Sequence, residues 1–336
     1  RDPGVARRLV QKLESPHVRE IQKNPYQLTQ ECRGIGFQTA DRIALSLGWP
    51  PLGEERLKAM WRLLLQNALS TGDCYRTTEQ LLEAARDLLK DQAAEAVTAA
   101  LTRFMPSWPN RHGFTVTQPA GEDAHWSLTT VHRWEERLAM QILRHSGQKR
   151  QTPRVIDWAW MTRTAQVSYA VAQQAAIAGA LNAPFSVITG GPGTGKTTTL
   201  RGILTWLVDH DGIDPETIAL AAPTARAAKR MEEVTGYAAT TLHRLLEWSP
   251  QKRQFTHDEA NPLTARWIIV DETSMVDLPL ATAFWRAVHP TTQVIWLGDE
   301  HQLPSVGPGS VLKDVIASGR IPAWRLAHNV RSQSGI

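Results

Sequence analysis

The sequence predicts a mixed α/β protein: a mainly helical region over residues 1–150, followed by a parallel sheet covered by helices. Three observations predict it. Four apolar β-type runs, 185–188, 218–221, 267–270 and 294–297, alternate with helix-like stretches. A strand that is apolar throughout is buried on both faces, which is the pattern of a parallel sheet. Ahead of residue 150 the periodicity is helical, broken by one hairpin pattern, and the polar stretch Ser146 to Pro153 separates the two parts. With 336 residues, 42% hydrophobic and 21% charged, the chain suits two or three globular domains. We place their bounds at 1–70, 71–150 and 151–336.

In chain order, Val5 to Leu13 and His17 to Gln22 read as helices, Asn24-Pro25 interrupts, and Tyr26 to Arg33 resumes. Gly34-Ile35-Gly36-Phe37 then precedes a helical run, Gln38 to Leu47, ended by Gly48 and Pro50-Pro51. Helix, G-h-G turn, helix is the pattern of a helix–hairpin–helix element. Its backbone N–H groups, at a helix N-terminus, can hold a DNA phosphate without reading a base. Arg33, Gly34 and Gly36 are the candidate DNA contacts, with Arg42 on the far side of the turn. A helical hairpin used only for packing fits the same residues.

Leu57 to Leu69 is an amphipathic helix, Thr77-Thr78-Glu79 starts another that runs to Leu89, and Asp91 to Phe104 is a third. Phe114–Thr117 and His125–Leu128 flank the turn Pro119–Glu122 as a β-hairpin. Helices followed by a hairpin resemble a winged helix, as scaffold or as a DNA contact. Val131 to Arg144 is a further helix.

Beyond Thr152 the candidate chemistry sits at the ends of the apolar strands, where a parallel sheet presents its ligands. Gly190-Gly191-Pro192-Gly193-Thr194-Gly195-Lys196-Thr197 joins the run 185–188 to a helix-like stretch from Thr197 to Val208. This is G-x-x-x-x-G-K-[ST] in the strand–loop–helix context it needs. The glycines let successive N–H groups point inward around phosphate oxygens, and the helix N-terminus adds partial positive charge. Lys196 reaches the β- and γ-phosphates of a nucleoside triphosphate, Thr197 ligates Mg²⁺, and the residues from Gly191 to Thr198 form the cradle. Ile268-Ile269-Val270-Asp271-Glu272 fits a strand that delivers Asp271 to the metal and Glu272 to the attacking water. Leu297-Gly298-Asp299-Glu300-His301-Gln302 brings Gln302 to sense the γ-phosphate. Pro223 to Arg230, with Thr224 and Arg226, and Thr240 to Leu245, with Thr241 and His243, each open a helix after a turn and suit backbone phosphate. A capped surface helix fits each equally.

Together these residues resemble the superfamily-one helicases, and within them the RecD-like branch, over nearly the whole chain. Gly190–Thr197 resembles motif I, Pro223–Arg230 motif Ia, Thr240–Leu246 motif Ib, Asp271–Met275 motif II and Gly298–Pro304 motif III. Tyr169 to Ile177 resembles the Q motif, which implies that Gln173 reads the adenine of ATP. Arg325 to Arg331 resembles motif IV, which implies that Arg331 contacts the γ-phosphate. Asn24-Pro25-Tyr26 and Gly34 to Asp41 resemble the hairpin region of the stand-alone RecD-like type. Ala225, Glu300 and Ser332 stand where the family usually has Gly, Asp and Gln. The polar stretch 248–266 resembles a small inserted domain, 1B-like, that carries a strand-separating pin, and a surface loop fits it too.

The resemblance implies a RecA-like P-loop NTPase domain that couples ATP hydrolysis, with Mg²⁺, to 5′ to 3′ movement on single-stranded DNA and duplex unwinding. It implies single-stranded DNA in the motor groove, duplex or junction DNA at the hairpin region, and a monomer. Motifs V and VI and their arginine finger are not in these 336 residues, so the segment alone is expected to be a weak ATPase that does not unwind. Losing such an arginine costs on the order of 10³–10⁵ in rate. Two other readings stand beside this one: the helicase portion of a conjugative relaxase, and a non-enzymatic DNA-binding module switched by nucleotide.

Composition limits the classes. No apolar run approaches the roughly 18 residues of a membrane span. Cys32 and Cys74 show no metal or redox spacing, which suits a reducing cytoplasm. Residues 1–150 hold 21 Lys and Arg against 17 Asp and Glu, while residues 151–336 hold 16 of each. The basic excess therefore lies ahead of the nucleotide-binding part, where it favours a polyanion. The 13 tryptophans read mainly as packing residues.

Overall fold

The computed structural model describes residues 24–32, 34–148 and 153–327. The expected helices at 5–13 and 17–22, together with Arg33 and Arg331, lie outside the described residues. By contacts the chain forms two compact units that divide between His132 and Arg133. The division falls inside a helix, ahead of the polar stretch 146–153.

In the first unit, a 3₁₀ turn at Pro25–Gln27 runs into one α-turn, Leu28–Glu31. The helix expected to reach Arg33 is shorter than that. Cys32 is already extended, with φ −110° and ψ 107°. After the Gly34 turn come α1 (Phe37–Ser46), α2 (Glu54–Ser70), α3 (Thr78–Leu88) and α4 (Ala94–Phe104). Thr77 caps α3 reciprocally with Gln80, as the sequence signature implies. The third helix starts at Ala94, three residues later than expected. Strands β1 (Arg76–Thr77), β2 (Phe114–Thr117) and β3 (His125–Leu128) pair antiparallel in the order β1-β3-β2.

Helix α2 buries Leu57, Met60, Trp61, Leu65 and Ala68, spaced three or four apart along one face. Trp61 meets Trp108 and Trp126 edge-on, with ring centroids 6.0 and 5.4 Å away. This aromatic group ties α2 to the hairpin. Its other attachment is electrostatic. Asp41 on α1 takes two hydrogen bonds from the buried Arg56, at 2.7 and 2.8 Å, and a third from the Tyr26 hydroxyl at 2.7 Å. Burial, then Asp41, pushes the Tyr26 phenol above its ordinary range.

Helix α5 (Thr129–Ser146) crosses the division between units, and α6 (Trp158–Ala165) and α7 (Val171–Asn182) follow it. A six-stranded, wholly parallel sheet organises the second unit, in the order β11-β4-β10-β9-β5-β6. The interior strands are β4 (Phe185–Thr189), β5 (Ile218–Ala222), β9 (Trp267–Val270) and β10 (Gln293–Gly298). Every residue of β4, β9 and β10 is buried, which is why these strands are mostly apolar, with Ser186, Thr189 and Gln293 their buried polar residues. The edges β6 (Ala239–Thr241) and β11 (Ala323–Arg325) were not anticipated. Each has three residues, none fully buried, so neither leaves an apolar run.

Four helices cover this sheet or lead from its strands: α8 (Lys196–Thr205), α9 (Ala225–Thr235), α11 (Leu278–Ala287) and α12 (Val311–Ala317), with a single turn, α10 (Leu242–Leu245), after β6. Helix α8 is shorter than the expected run to Val208. It widens at Trp206–His210 into a π-turn, where Asp211 N–H reaches back to Trp206 C=O at 2.9 Å and the His210 ring stacks on Trp206. Between α10 and β9 a small hairpin, β7 (Trp248–Ser249) and β8 (Gln254–Phe255), projects from the chain. Among the described residues no helix is long and apolar enough to cross a membrane.

Removing Asp41 strands the buried Arg56 guanidinium and the Tyr26 hydroxyl together. Breaking a buried pair from one side costs about 3–5 kcal/mol. Asp41→Ala should therefore lower the unfolding free energy of the first unit by that order, read from urea denaturation, whereas Asp91→Ala, which takes from Arg56 only a 3.8 Å contact with an exposed carboxylate, should leave it nearly unchanged.

Candidate nucleotide-binding site

Parallel pairing sends every strand of the six-stranded sheet to one edge, so the loops after β4, β5, β6, β9 and β10 gather there. The loop from Gly190 to Gly195 is wound by two left-handed glycines, Gly193 at φ 76° and Gly195 at φ 92°. Gly190 is needed for a different reason. A Cβ there would stand 2.6 Å from Thr194 Oγ1 and 2.8 Å from the Leu326 carbonyl oxygen. Its N–H donates to Gly298 C=O at 3.2 Å, which fastens the loop to the end of β10. Thr194 is buried, and its hydroxyl donates to Gly191 C=O at 2.9 Å. The Lys196 ammonium, at the first turn of α8, donates to the carbonyls of Gly190 and Gly191. Thr197 is exposed and Thr198 half-buried, on the turn that faces out of the loop.

Opposite the loop, β9 delivers Asp271 and Glu272. Asp271 Oδ1 accepts from Glu272 N–H at 2.8 Å. Burial raises the Asp271 carboxyl above its ordinary pKa. The neighbouring Glu272 charge adds to this, while the Glu272 N–H, Lys196 and Arg230 pull it back. A half-buried carboxylate raised in this way calls for a cation. Glu272 is held left-handed at φ 54°, a conformation that costs a non-glycine residue about 1–2 kcal/mol. Thr273 is anchored behind it, its hydroxyl donating to Leu297 C=O at 2.8 Å. The glycine cradle, the ammonium and the half-buried carboxylate together fit a triphosphate with a divalent cation.

The loop after β10 closes a third side. Asp299 is buried, accepts from His301 N–H at 3.0 Å, and lies beside Gly191. Gln302 is exposed and lines, with Ser274, Asp299 and Lys313, a small cavity of about 100 Å³. Glu300, which replaces the family's Asp, carries a contact that sequence reasoning missed. Its carboxylate accepts from Arg325 Nε at 2.8 Å and from a terminal nitrogen of the same guanidinium at 3.3 Å. That pair holds the Glu300 carboxyl below its ordinary range and joins β11 to the loop. The signal was present as two oppositely charged residues in motifs III and IV, but their contact needed the position of β11.

The remaining expected residues are placed as follows. Gln173 is 3% exposed, and its amide is committed to backbone, accepting from Ala170 N–H at 3.0 Å and donating to Gly195 C=O at 3.4 Å. It braces the phosphate loop, and a Cβ on Gly195 would strike it at 2.5 Å. The expectation of an amide open to a base edge is not what the geometry shows. Thr224 and Thr241 cap α9 and α10, accepting from Ala227 N–H and Arg244 N–H at 3.2 Å each, with Arg226 and His243 exposed on the same turns. In the first unit, Gly34 has φ 90°, where glycine is favoured. Gly36 does not need positive φ: it is extended at φ −83°, caps α1, and a Cβ there would meet open space. Its smallness leaves the N-terminus of α1 uncovered.

The chain matches two family descriptions. Residues 2–75 match the "ATP-dependent RecD2 DNA helicase HHH domain", and residues 173–308 match an "AAA domain". It is 32% identical over 314 residues to the ATP-dependent RecD2 DNA helicase of Deinococcus radiodurans, covering 90% of this chain and 42% of that protein. It is 43% identical over 164 residues to the RecBCD enzyme subunit RecD of Mycolicibacterium smegmatis, covering 43% of this chain and 30% of that one. Among solved structures, the Pif1 helicase from Candida albicans aligns over 50% of this chain and 42% of its own, at 22% identity and a TM-score of 0.37. The chain thus spans less than half the length of these relatives. The hairpin match, the nucleotide-domain match and a relative aligned along nine-tenths of the sequence show that the chain belongs to the RecD-like family of superfamily-one helicases.

Proposed function

We propose that this chain is the nucleotide-binding half of an ATP-dependent DNA helicase that moves 5′ to 3′ on single-stranded DNA. The observation that carries this reading is the meeting, at one sheet edge, of the Lys196 loop, the Asp271–Glu272 pair and the two threonine-capped turns at Thr224 and Thr241. ATP with Mg²⁺ supplies the transferable phosphoryl group and the charge that Asp271 is buried to meet. Lys196 exchanges loop carbonyls for β- and γ-phosphate oxygens. Thr197 and Asp271 hold the cation, and Glu272, fixed by its own backbone, orients and deprotonates the attacking water. Gln302 borders the cavity beside that position and reads the γ-phosphate, with Arg331 assigned to the same group by its motif.

Thr224, Arg226, Thr241 and His243 line the course of a single strand, whose phosphates meet helix N-termini and an exposed guanidinium. Duplex or junction DNA docks on the uncovered N-terminus of α1, at Arg33, Gly34 and Gly36. The β7–β8 hairpin lies beside this course. Trp248 packs edge-on against Phe255 at 4.9 Å, and His243 is 5.8 Å from Phe255. We read it as the strand-separating pin. The protein works as a monomer in the cytoplasm. The relaxase reading loses ground to the hairpin match over residues 2–75. A pure binding module would not need a charged Asp271 in a half-buried place.

Three measurements check this. Lys196→Ala should weaken binding of a fluorescent ATP analogue at least tenfold while leaving single-stranded DNA affinity unchanged, and equal nucleotide affinity in both proteins would remove the site. Asp271→Asn should abolish hydrolysis and yet stabilise the fold. An acid whose pKa is raised on folding binds its proton more tightly when folded, so its effect is absent below the unfolded pKa and grows as a penalty while pH rises toward the folded value. The variant should then match the parent in acid and exceed it near neutrality by roughly 1 kcal/mol, and a melting curve showing no such divergence would reject the assignment. Deleting Gln251 to Asp258 from the full-length protein should stop unwinding and spare DNA-stimulated ATPase; retained unwinding would exclude the pin.

A further inference from the structure

A cavity of about 470 Å³ opens on the second unit, away from the phosphate loop. Val288, His289 and Pro290 on its rim lead into β10, and Pro262 leads into β9, so it lies at the N-terminal ends of the central strands. A strand length, roughly 17–20 Å, separates it from the nucleotide edge. The last turns of α5 form one wall with Gln141, Arg144 and His145, and the end of α11 forms another with Trp285 and Arg286.

Its charge is unbalanced. Glu259 is the one acid on the lining, and it is already engaged. It accepts from Gln141 Nε2 at 3.0 Å and stands 3.8 Å from Arg286 Nε. Arg144 makes no ion pair among the described residues, while burial lowers the pKa of the His145 imidazole and so disfavours its charged form. The wall is also short of partners. Gln141 Oε1, His145 Nε2 and Trp285 Nε1 are buried without a hydrogen bond, three of eight such side-chain atoms among the described residues. His145 is 6% and Trp285 3% exposed, and their rings meet edge-on at 5.3 Å. Buried polar atoms without partners are costly, and the Trp285 N–H is a buried donor left without an acceptor at this cavity. The volume is in the range of small-ligand sites, and two guanidinium groups with an indole N–H on one lining suit an oxyanion.

We propose that this cavity is a second ligand site, for a small molecule bearing an oxyanion, either a carboxylate or a phosphate, gripped by Arg144 and Arg286. The oxyanion accepts from the Trp285 N–H as well as from the two guanidinium groups. The site shares no residue with the nucleotide loop and stands whether or not that loop hydrolyses ATP.

The test uses the ¹⁵N-labelled chain carrying Lys196→Ala, so that the phosphate loop does not compete. Citrate and inorganic phosphate are titrated separately, against chloride at matched ionic strength, while the indole N–H resonance of Trp285 is followed, assigned by its loss in Trp285→Phe. A saturable shift with one anion and not with chloride is expected, and the anion that gives it identifies the source. Arg144→Ala with Arg286→Ala should weaken that binding at least tenfold at an unchanged melting temperature. Should Trp285→Phe fail to fold, the rise in melting temperature with each anion, in the parent and in the double arginine variant, reads the same affinity. No saturable response to either anion beyond chloride, or a response that survives loss of both arginines, would overturn the site.

Discussion

The hydrogen bond from Gly190 N–H to Gly298 C=O holds the working edge of this molecule together, and it exists because neither residue has a side chain. A Cβ on Gly190 would meet the Leu326 carbonyl oxygen at 2.8 Å, and one on Gly298 would meet Leu312 Cδ2 and Thr273 Oγ1 at 2.6 Å each. Strand ends β11, β4 and β10 and the turn after β9 therefore close on one another through backbone. The order of the sheet makes this possible: β4 and β10 pair in register from Phe185 with Val294 to Thr189 with Gly298, so the phosphate loop and the loop of Asp299 leave the sheet side by side. A substitution at either glycine would separate the residue that grips phosphate from the residues that sense its loss.

The site is costly to the fold in three places. Burial pushes the Asp271 carboxyl above its ordinary pKa, Glu272 is held at positive φ, and the Lys196 ammonium is satisfied by carbonyls that a more charged partner would displace. None of these is needed to build a parallel sheet, since β5, β9 and β10 are secured by backbone pairing and by buried side chains away from the site. Cost concentrated on three functional positions at one sheet edge is better explained by chemistry than by packing. The Glu300–Arg325 pair works the other way. It adds a charge-assisted contact between the β10 loop and an edge strand that pairs with β4 over three residues and packs Trp324 against the core.

The interior of the fold was legible because burial on both faces leaves no other reading for runs such as Trp267 to Val270. The hairpin Phe114–Thr117 with His125–Leu128 was legible because its turn residues and its strand lengths agree. The loop and its acids were legible because each follows such a strand. What stayed hidden depends on neighbours distant in the chain. Three-residue edge strands carry no periodicity, and Gln173 looks free to read a base until Gly195 C=O, 22 positions away, takes its amide. The bond between Arg56 and Asp41 joins residues 15 apart on separate helices, and nothing in either local pattern requires it.

Gln173 also bears on how the loop would respond to nucleotide. Its amide oxygen caps α7 through Ala170 N–H, while its nitrogen supports Gly195, the left-handed residue from which α8 starts. At 3.4 Å the second bond is the weaker of the two, so the side chain can release the loop without unwinding its own helix. Lys196, one residue further on, holds carbonyls that are neutral, and phosphate oxygens make bonds about twice as strong with an ammonium. Nucleotide would therefore draw Lys196 off Gly190 and Gly191 and shift Gly195, and Gln173 is the side chain that would feel the shift first. On this geometry the residue acts on the loop's conformation, and selectivity for the base would have to come from groups other than its amide.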